Sequence, residues 1–532
     1  MSMIRKCYII GLLVAGCVTT AAATDRPNIV LIMADDLGWM DINPTAELAT
    51  GTPAEKQFYE TPHLNELAKE GVAFSRCYSM PLCSPSRATI ITGRNGAMFG
   101  FNNATGMRAG SPTFAVKGKT PPGDYLAHDK LPGASPRYPV ESAIGNYALP
   151  NGLPDSKGLK VYTLAEILPD YRSAFLGKWH IGGNDIEGHR PQDFGFEAIA
   201  YEDEGWSKYN KGVRKKWHHP GPPAQADYLT DDLTALGTDW IRQHVKERPE
   251  QPFLLYLAHF AVHGPIQARP EDVAYFSTKP TRGWNDQDNP AYAGMIRALD
   301  DSIGAIRDAL KELGVADNTI IVFTSDNGGQ TGKKGAHWTS NTPLRGQKAQ
   351  TFEGGIRVPM IVHVPGQTGN EAWVHTPVTL EDVAPTLAAL GQQEVSQAIK
   401  DQWTGKSLVP LLQQRPDDFA KRPIFIHEPY YRPDNMTKGA TIMAPSSVMI
   451  DGNYKLIAYH DGTMRLFDLS QDIGEANDLS TSMPERVGHM KQALAKWRVE
   501  NIPVRYDTRA NPRYDPQADS ALPRPDGPLF VR

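Results

Sequence analysis

Two apolar runs that each end in oxygen-bearing side chains constrain the fold of this chain more than any other feature. The first run covers residues 29–34 and the second covers residues 320–325. Short runs of this kind indicate strands buried on both faces, as in a parallel sheet. Because open α/β sheets bind ligands at the carboxyl ends of their strands, the polar residues that follow both runs are predicted to meet there. These residues are Asp35, Asp36, Asp326 and Asn327.

The adjacent aspartates after the first run point to a bound cation. Two carboxylates at the end of a buried strand are costly unless a positive ion lies beside them. A ligand set made only of oxygens suits Ca²⁺ or Mg²⁺ better than zinc. An Asp-Asp pair alone is more often a turn or a cap, so the argument for a metal depends on both strand ends together.

The remaining pattern predicts an α/β fold with a second, smaller part. Further strands are expected at residues 173–177 and 253–258, and apolar residues spaced by three and four predict a sheet-covering helix closed by Gly314. We therefore expect a large, mostly parallel sheet sandwiched by helices over residues 26–420. Short strands separated by Asp-Gly turns predict a small C-terminal α+β subdomain, with an antiparallel sheet and a proline-rich tail, over residues 421–532.

The N-terminus has the features of an export signal. Arg5 and Lys6 precede an apolar stretch and then small residues, so residues 1–23 are predicted to be a signal peptide. The alternative is a bacterial lipobox that ends at Cys17, which would then carry a lipid anchor. We favour cleavage after Ala23, because few residues separate Cys17 from the start of the fold. The protein is thus expected to be periplasmic or secreted, and no other stretch has the length of a transmembrane helix.

Composition argues against two classes of partner. The formal net charge is -5, and charged residues make up 22% of the chain. This balance supplies neither the positive charge expected for bulk nucleic-acid binding nor a basic face for a membrane surface. We therefore expect no nucleic-acid partner, in a chain of 532 residues that is long enough for more than one core.

The most specific motif is the sequence C-S-P-S-R at residues 83–87, which predicts a loop that turns into a short helix. Pro85 suits the first helical position, and Gly93 suits the position just after the last. Cys83 would lie at the helix N-terminus, where partial positive charge stabilises an anion, and Arg87 would follow on the same face. A nucleophilic side chain, a helix dipole and a guanidinium would therefore meet at one point, which suits an oxyanion such as sulfate or phosphate.

The longer run C-S-P-S-R-A-T-I-I-T-G-R at residues 83–94 resembles the signature of the type I sulfatases, a family of the alkaline-phosphatase-like superfamily. Other motifs follow in the family's order. Residues 177–180 resemble its G-K-W-H motif, and residues 341–359 resemble its second signature. His263 occupies the family's position in a P-H-x-P-like loop, although Val262 replaces the usual small residue or proline. The resemblance covers nearly the whole mature chain.

The resemblance implies a covalent mechanism with a modified cysteine and one calcium ion. A formylglycine-generating maturation enzyme would oxidise Cys83 to formylglycine, whose hydrate attacks sulfur. The residues implied to hold the ion are Asp35, Asp36, Cys83, Asp326 and Asn327. The residues implied to bind the sulfate oxygens are Arg87, Lys178 and Lys348. His263 would protonate the leaving oxygen, and His180 would take up a proton when sulfate is expelled.

These features predict a sulfuric ester hydrolase that acts on a sulfated carbohydrate, an extracellular polysaccharide or its oligosaccharides. The substrate class rests on analogy and not on any residue. Polar loops near residues 95–153 are where substrate selectivity usually lies. The polar loop at residues 185–226 is interpreted as solvated, with a basic wall for an anionic sugar as the alternative. Three alternatives stay open: a phosphonate or phosphodiester hydrolase of the same superfamily, a non-catalytic carbohydrate-binding protein with Cys83 unconverted, and a secreted protein with a Cys77–Cys83 disulfide. The C-x-P-S-R run and Lys348 favour sulfate over the first of these.

Overall fold

The computed structural model describes residues 26–103, 126–127, 138–141, 145–146, 161–182, 188–202, 227–333, 335–367, 372–434, 441–518 and 527–531. The predicted signal peptide, with Cys17, lies outside these residues, as does most of both predicted polar loops. Within the described ranges, no helix combines the length and the hydropathy that crossing a membrane requires.

Most strands are short, and their bounds follow from the turn residues between them. In chain order over the described residues they are β1 (Asn28–Ala34), β2 (Val72–Tyr78), β3 (Leu126–Ala127), β4 (Val140–Glu141), β5 (Gly145–Asn146), β6 (Arg172–Lys178), β7 (Glu197–Glu202), β8 (Phe253–Ala258), β9 (Thr319–Ser325), β10 (Gly332–Lys333), β11 (Ala336–His337), β12 (Arg357–His363), β13 (Ala372–Val374), β14 (Val378–Thr379), β15 (Ile424–Glu428), β16 (Arg432–Asp434), β17 (Thr441–Met443), β18 (Ser446–Asp451), β19 (Tyr454–Tyr459), β20 (Met464–Asp468) and β21 (Arg509–Ala510).

Helices fill the connections between the main strands, as parallel pairing requires. Over the same residues they are α1 (Asn43–Thr50), α2 (Pro62–Glu70), α3 (Cys83–Thr92), α4 (Leu164–Ile167), α5 (Leu229–Glu247), α6 (Pro270–Thr278), α7 (Pro290–Glu312), α8 (Glu353–Ile356), α9 (Val383–Leu390), α10 (Gln397–Gln402), α11 (Val409–Leu412) and α12 (Pro484–Asn501).

The large sheet has the spatial order β13-β2-β12-β9-β1-β8-β6-β7, with β14 also beside β2. β1 is parallel to its neighbours β8 and β9, and β6 is parallel to β7 and β8. β12 is antiparallel to both β2 and β9. The predicted fold class, a large and mostly parallel sheet flanked by helices, is confirmed.

Alternate residues of β1 face opposite layers of helices. Ile29, Leu31 and Met33 belong to a buried apolar cluster that includes residues of α3, α4 and α9. Val30 and Ile32 belong to a second cluster that includes residues of α2, α5 and α7. Because successive side chains of a strand point to opposite faces, a sheet covered on both sides needs an uninterrupted apolar strand at this position.

Helix α7 shows how local signals set the bounds of a sheet-covering helix. Pro290 occupies its first position, and the Asn289 side chain accepts hydrogen bonds from the backbone of Ala291 and Tyr292. Gly314, two residues beyond the last helical position, has a left-handed φ of 69°. The predicted stop at this glycine is therefore present, because the residue provides a conformation that most side chains disfavour.

A four-stranded antiparallel sheet, in the order β15-β18-β19-β20, forms the small C-terminal part. One face packs on α12, where Leu456 lies in the same apolar cluster as Leu494. Other apolar residues of this sheet share a cluster with Phe352 and Ile356, which precede β12 of the large sheet. The predicted antiparallel sheet is thus present, and the boundary near residue 420 stays a prediction.

The start of α3 differs from the expectation in one detail. The helix begins at Cys83, so Pro85 occupies the third position and not the first. The first-turn N–H groups of a helix have no partner within the helix, and a proline is therefore tolerated anywhere in that turn. Gly93 follows the last helical residue with φ 69°, as predicted.

Candidate active site

The register of the central strands brings the two predicted strand ends together. Ala34 of β1 lies opposite Ser325 of β9, so Asp35 and Asp326 follow at the same level of the sheet. The backbone N–H of Asp36 donates to Asp326 Oδ1 at 3.1 Å. The carboxyl ends of two parallel strands therefore present their acidic side chains to one point, at the edge where such sheets bind ligands.

Three buried carboxylates at this edge form a group that suits a cation. Asp35, Asp36 and Asp326 each offer an oxygen within 4.8 Å of the others. Asp35 Oδ1 and Asn327 Oδ1 are buried and accept no hydrogen bond. Burial raises the pKa of Asp326, and the charge of Asp35 raises it further, against the opposing effect of Arg87. A divalent ion would satisfy the unpaired oxygens and relieve the repulsion, so these residues fit the predicted Ca²⁺.

Arg87 joins helix α3 to both strand ends and to β6. Its Nε and Nη2 donate to Asp326 Oδ2 at 3.0 and 2.7 Å. Its Nη1 donates to the backbone oxygen of Lys178 at 2.9 Å, and Nη2 lies 3.7 Å from Asp35 Oδ1. The guanidinium thus has a fixed orientation, set by charge-assisted hydrogen bonds in a buried setting.

Two lysines complete the charge balance. Lys178 Nζ lies 2.5 Å from Asp35 Oδ2, and Lys348 Nζ lies 2.7 Å from Asp36 Oδ1. Burial lowers the pKa of Lys348, but the nearby negative groups, with Asp36 foremost, outweigh burial and raise the pKa above its ordinary value. Lys348 therefore stays charged. We call the six charged residues the site cluster: Asp35, Asp36, Arg87, Lys178, Asp326 and Lys348.

Cys83 begins helix α3 beside this cluster and is buried. Burial raises the pKa of its thiol, and the charges of Lys178 and Lys348 act in the opposite direction. Cys77 and Cys83 are both free, and Cys77 Sγ packs 3.8 Å from Met360 Sδ in the core. The structure therefore contradicts the disulfide alternative and leaves Cys83 available to the site.

The two predicted histidines differ in their surroundings. His263 Nε2 lies 3.7 Å from Asp36 Oδ2, and its Nδ1 lies 2.7 Å from the Gly264 oxygen. Because Nδ1 donates to that carbonyl, Nε2 is the ring nitrogen that faces the cluster. His180 is buried with φ 55°, beyond the end of β6 at Lys178. His180 therefore lies outside the regular strand geometry that orients Lys178.

The sequence assigned no role to Asn341, which links two loops of the site. Its Nδ2 lies 2.9 Å from the Gly329 oxygen and 3.0 Å from the Gly346 oxygen. It therefore ties the turn after Asn327 to the loop that carries Lys348. The available signal was its position at the start of the second signature.

Asp41 is a further supporting residue that no sequence pattern marks. Its Oδ2 accepts hydrogen bonds from Gly38 N and Tyr292 OH at 2.8 Å each, and its Oδ1 accepts one from Thr339 Oγ1 at 2.8 Å. Burial raises the pKa of Asp41 to about 6, while these three donors favour the ionised form. Asp41 thus fixes the loop that follows Asp36.

Comparisons with known proteins agree with this geometry. A family model described as Sulfatase matches residues 27–392, and one described as N-sulphoglucosamine sulphohydrolase, C-terminal, matches residues 347–500. The N-acetylgalactosamine-6-sulfatase of Homo sapiens is 31% identical over 444 residues, which cover 78% of this chain and 70% of that protein. A Formosa agariphila protein named Sulfatase is 28% identical, with 94% of each chain covered. The crystal structure of Ps i-CgsB in complex with k-i-k-neocarrahexaose has a TM-score of 0.68 and 27% identity, covering 90% of this chain and 93% of that one.

The fold and the charged edge of the sheet define the class as a hydrolase of the alkaline-phosphatase-like superfamily. Since the Sulfatase model spans most of the chain, the protein belongs to the sulfatase family. Its activity is sulfuric ester hydrolysis, as the sequence predicted.

Proposed function

We propose that this protein removes sulfate from a sulfated carbohydrate, with Cys83 converted to formylglycine and one Ca²⁺ bound beside it. The observation that carries the proposal is the position of Cys83. It begins α3, and the charges of Lys178, Lys348 and Asp326 all act on its thiol. A helix N-terminus and two ammonium groups at one point suit a sulfate group.

The calcium ion would use the oxygens at the two strand ends together with the modified cysteine. The residues that would hold it are Asp35, Asp36, Cys83, Asp326 and Asn327. The ion supplies a positive charge that lowers the pKa of a bound nucleophile and neutralises sulfate oxygens, and the formylglycine hydrate supplies the nucleophile. The formal charges of the site cluster cancel, so a divalent ion would give the site a net positive charge that favours an anionic ester.

The three cations of the site cluster would bind the sulfate oxygens. Each is already held by a carboxylate, so its position is fixed before the substrate arrives. Arg87 has two functions on this view. Its Nε and Nη2 hold Asp326 while Nη1 holds the backbone of Lys178, and both contacts orient groups that bind the ion or the sulfate.

The histidines would move the protons. In its doubly protonated form, His263 would give the Nε2 proton to the leaving oxygen, while Nδ1–H stays bound to the Gly264 oxygen. Burial and the charge of Lys348 lower the pKa of this ring, and the charge of Asp36 acts in the opposite direction and favours the protonated form. The His263 side chain is 21% exposed, which suits contact with a leaving group at the mouth of the site. His180 would accept a proton as sulfate departs.

The carbohydrate substrate is supported by the relatives. One is named for N-acetylgalactosamine 6-sulfate, and a similar structure holds a neocarrahexaose. We therefore propose a sulfated polysaccharide or its oligosaccharides as the substrate. No residue of the site cluster selects one sugar over another.

We also propose that the protein is exported, to the periplasm or out of the cell. The charged and apolar pattern of residues 1–23 supports this, with lipid attachment at Cys17 as the alternative. A formylglycine-generating enzyme would be its maturation partner.

The test combines the mass of the peptide that contains residue 83 with turnover of an aryl sulfate and of defined sulfated sugars, N-acetylgalactosamine 6-sulfate and neocarrahexaose among them. Conversion replaces sulfur with oxygen and removes hydrogen, so the peptide becomes lighter. We expect turnover to rise with the converted fraction. Full activity with an unmodified cysteine would refute the formylglycine proposal. Faster hydrolysis of a phosphonate ester than of any sulfate would favour the superfamily alternative. Binding of carbohydrate without turnover would favour the non-catalytic one.

A further inference from the structure

A second buried ionic cluster lies outside the site, between the C-terminal sheet and the large sheet. Lys455 Nζ of β19 lies 3.0 Å from Glu353 Oε1 and 2.8 Å from Glu475 Oε1, and all three side chains are 0% exposed. Arg357 Nη1 of β12 lies 3.4 Å from Glu353 Oε2. We call these residues the scaffold cluster: Glu353, Arg357, Lys455 and Glu475.

The scaffold cluster holds both ends of the loop that carries Lys348, which runs over residues 345–353. At the far end, the backbone N–H of Glu353 donates to Glu475 Oε2 at 2.6 Å. At the near end, Arg345 Nη1 donates to the backbone oxygen of Glu475 at 3.0 Å. Both ends of the loop therefore depend on Glu475, which is paired with Lys455.

The middle of the loop contacts both the C-terminal sheet and the turn that follows Asn327. Thr351 Oγ1 lies 3.1 Å from Ser446 Oγ of β18, and Phe352 packs in an apolar cluster with residues of β15 and β18. On the other side, the backbone N–H of Lys348 donates to the Gly329 oxygen at 3.1 Å. A shift of the loop ends would therefore displace the ammonium of Lys348, which contacts Asp36.

We propose that Lys455 is a positioning residue: from the C-terminal sheet, it fixes Lys348 at the sulfate site by holding Glu353 and Glu475 together. This inference rests on the sulfate-binding role proposed above for Lys348. Without the ammonium, two buried carboxylates lose their shared counter-ion and repel each other, which releases the ends of the loop. A displacement of about 1 Å at a catalytic group can cost roughly 100-fold in rate.

The test compares Lys455→Met with a matched variant, Arg498→Met. Arg498 forms a buried ion pair with Asp507 at 2.5 Å in the same C-terminal part, with side chains 4% and 1% exposed, and that pair includes no residue of the loop. Amide hydrogen exchange is measured over residues 345–356, and kcat and KM are measured with an aryl sulfate. We expect Lys455→Met to speed exchange in the loop and to lower kcat/KM by about 10- to 100-fold. Arg498→Met should lower the free energy of unfolding. In its folded molecules, amide exchange over residues 345–356 and kcat/KM should stay as in the wild type.

Equal loop exchange in the two variants, with kcat/KM of Lys455→Met unchanged, would overturn the inference. If Lys455→Met does not fold, the double variant Lys455→Met/Glu475→Gln removes the repulsion but still lacks the ammonium that joins the two side chains. Faster loop exchange in the double variant than in Arg498→Met would support the inference, and equal exchange would overturn it. If Lys455→Arg has the wild-type loop exchange and the wild-type kcat/KM, the result would support the inference that the positive charge at residue 455 positions the loop. An inactive wild type, or a Lys348→Ala variant with full activity, would refute the proposed sulfate role, while the exchange measurement still decides whether Lys455 holds the loop.

Discussion

The site cluster and the scaffold cluster are both buried groups of carboxylates and cations, and they differ in how closely a cation approaches a carboxylate oxygen that accepts no aligned hydrogen bond. In the scaffold cluster, Glu475 Oε1 lies 2.8 Å from Lys455 and its Oε2 accepts the backbone N–H of Glu353 at 2.6 Å. In the site cluster, Asp35 Oδ1 accepts no hydrogen bond, and Arg87 Nη2 lies 3.7 Å from it. The formal charges of both clusters balance, yet the guanidinium of Arg87 lies farther from Asp35 Oδ1 than the ammonium of Lys455 lies from Glu475 Oε1.

The two clusters also differ in how far their side chains are exposed to solvent. The Lys455 side chain is 0% exposed, whereas Lys348 is 12% exposed and His263 beside it is 21% exposed. A cluster that is closed to solvent and whose carboxylates are matched by nearby cations can hold elements in place, because an incoming group would break existing ion pairs. Unpaired oxygens beside accessible cations are the groups that the proposed calcium ion and a sulfate group would contact.

The largest effect is expected at the nucleophile. Cys83→Ala should lower turnover by more than about a thousandfold, because the covalent route is lost, while the fold stays intact. Turnover of an aryl sulfate and a thermal melt measure the two properties. Cys77→Ala is the matched control: this second buried thiol packs on Met360 and should keep its turnover per folded molecule. A Cys83→Ala variant with wild-type rates would end the formylglycine proposal.

Removal of one carboxylate from each cluster should separate metal binding from scaffolding. If the proposed ion binds there, Asp326→Asn should lower the metal content and reduce kcat/KM by roughly 100-fold, since a metal supplies several kcal/mol of charge stabilisation. Glu353→Gln in the scaffold cluster should leave the metal content unchanged.

Metal content is measured by elemental analysis alongside the rates, and wild-type enzyme treated with EDTA should recover on addition of Ca²⁺. A fully active protein that contains no divalent ion would refute the proposed metal site at the oxygens of the site cluster.

The two histidines should respond differently to the leaving group. His263→Ala should be impaired more on a sugar sulfate than on an activated aryl sulfate, by about tenfold or more, because a poor leaving group depends on protonation. His180→Ala should be impaired on both substrates to a similar extent. The measurement is kcat/KM of each variant on both substrates, and the same ratio for the two variants would mean that their roles are wrongly assigned.

The smallest effect concerns a histidine that belongs to neither cluster. His259 is fully buried, its Nε2 lies 3.0 Å from Ser302 Oγ, and burial lowers its pKa to about 3. Below pH ~6.5 the unfolded chain binds a proton at His259 that the folded chain does not bind. The free energy of unfolding therefore decreases as the pH is lowered, by up to about 1.4 kcal/mol per pH unit.

Urea unfolding at pH 7.5 and pH 5.0 tests this account of His259. His259→Gln should lose less stability than the wild type between these pH values, by roughly 2 kcal/mol. Its aryl sulfatase rate should change little, in contrast to His263→Ala. An identical loss of stability in both proteins would show that His259 does not titrate as the buried geometry requires.

Local patterns predicted the elements of the fold well where one physical cause dominates. The run predicted at residues 253–258 is β8, and the predicted glycine stops follow α3 and α7. Prediction was less accurate where several local arrangements cost the same, as for Pro85, which is tolerated at any position of a first turn. Local patterns also did not predict the backbone beyond the end of β6, where His180 has a left-handed φ.

The sequence by itself determined the type of sheet, the acidic strand ends and the motif around Cys83, because each depends on residues close together in the chain. The tertiary structure alone decided which charges pair. Lys178 meets Asp35 across 143 residues of sequence, Lys348 meets Asp36 across 312, and Lys455 meets Glu353 across 102. Such pairs depend on strand order and register, and their strength depends on burial, which no local pattern encodes.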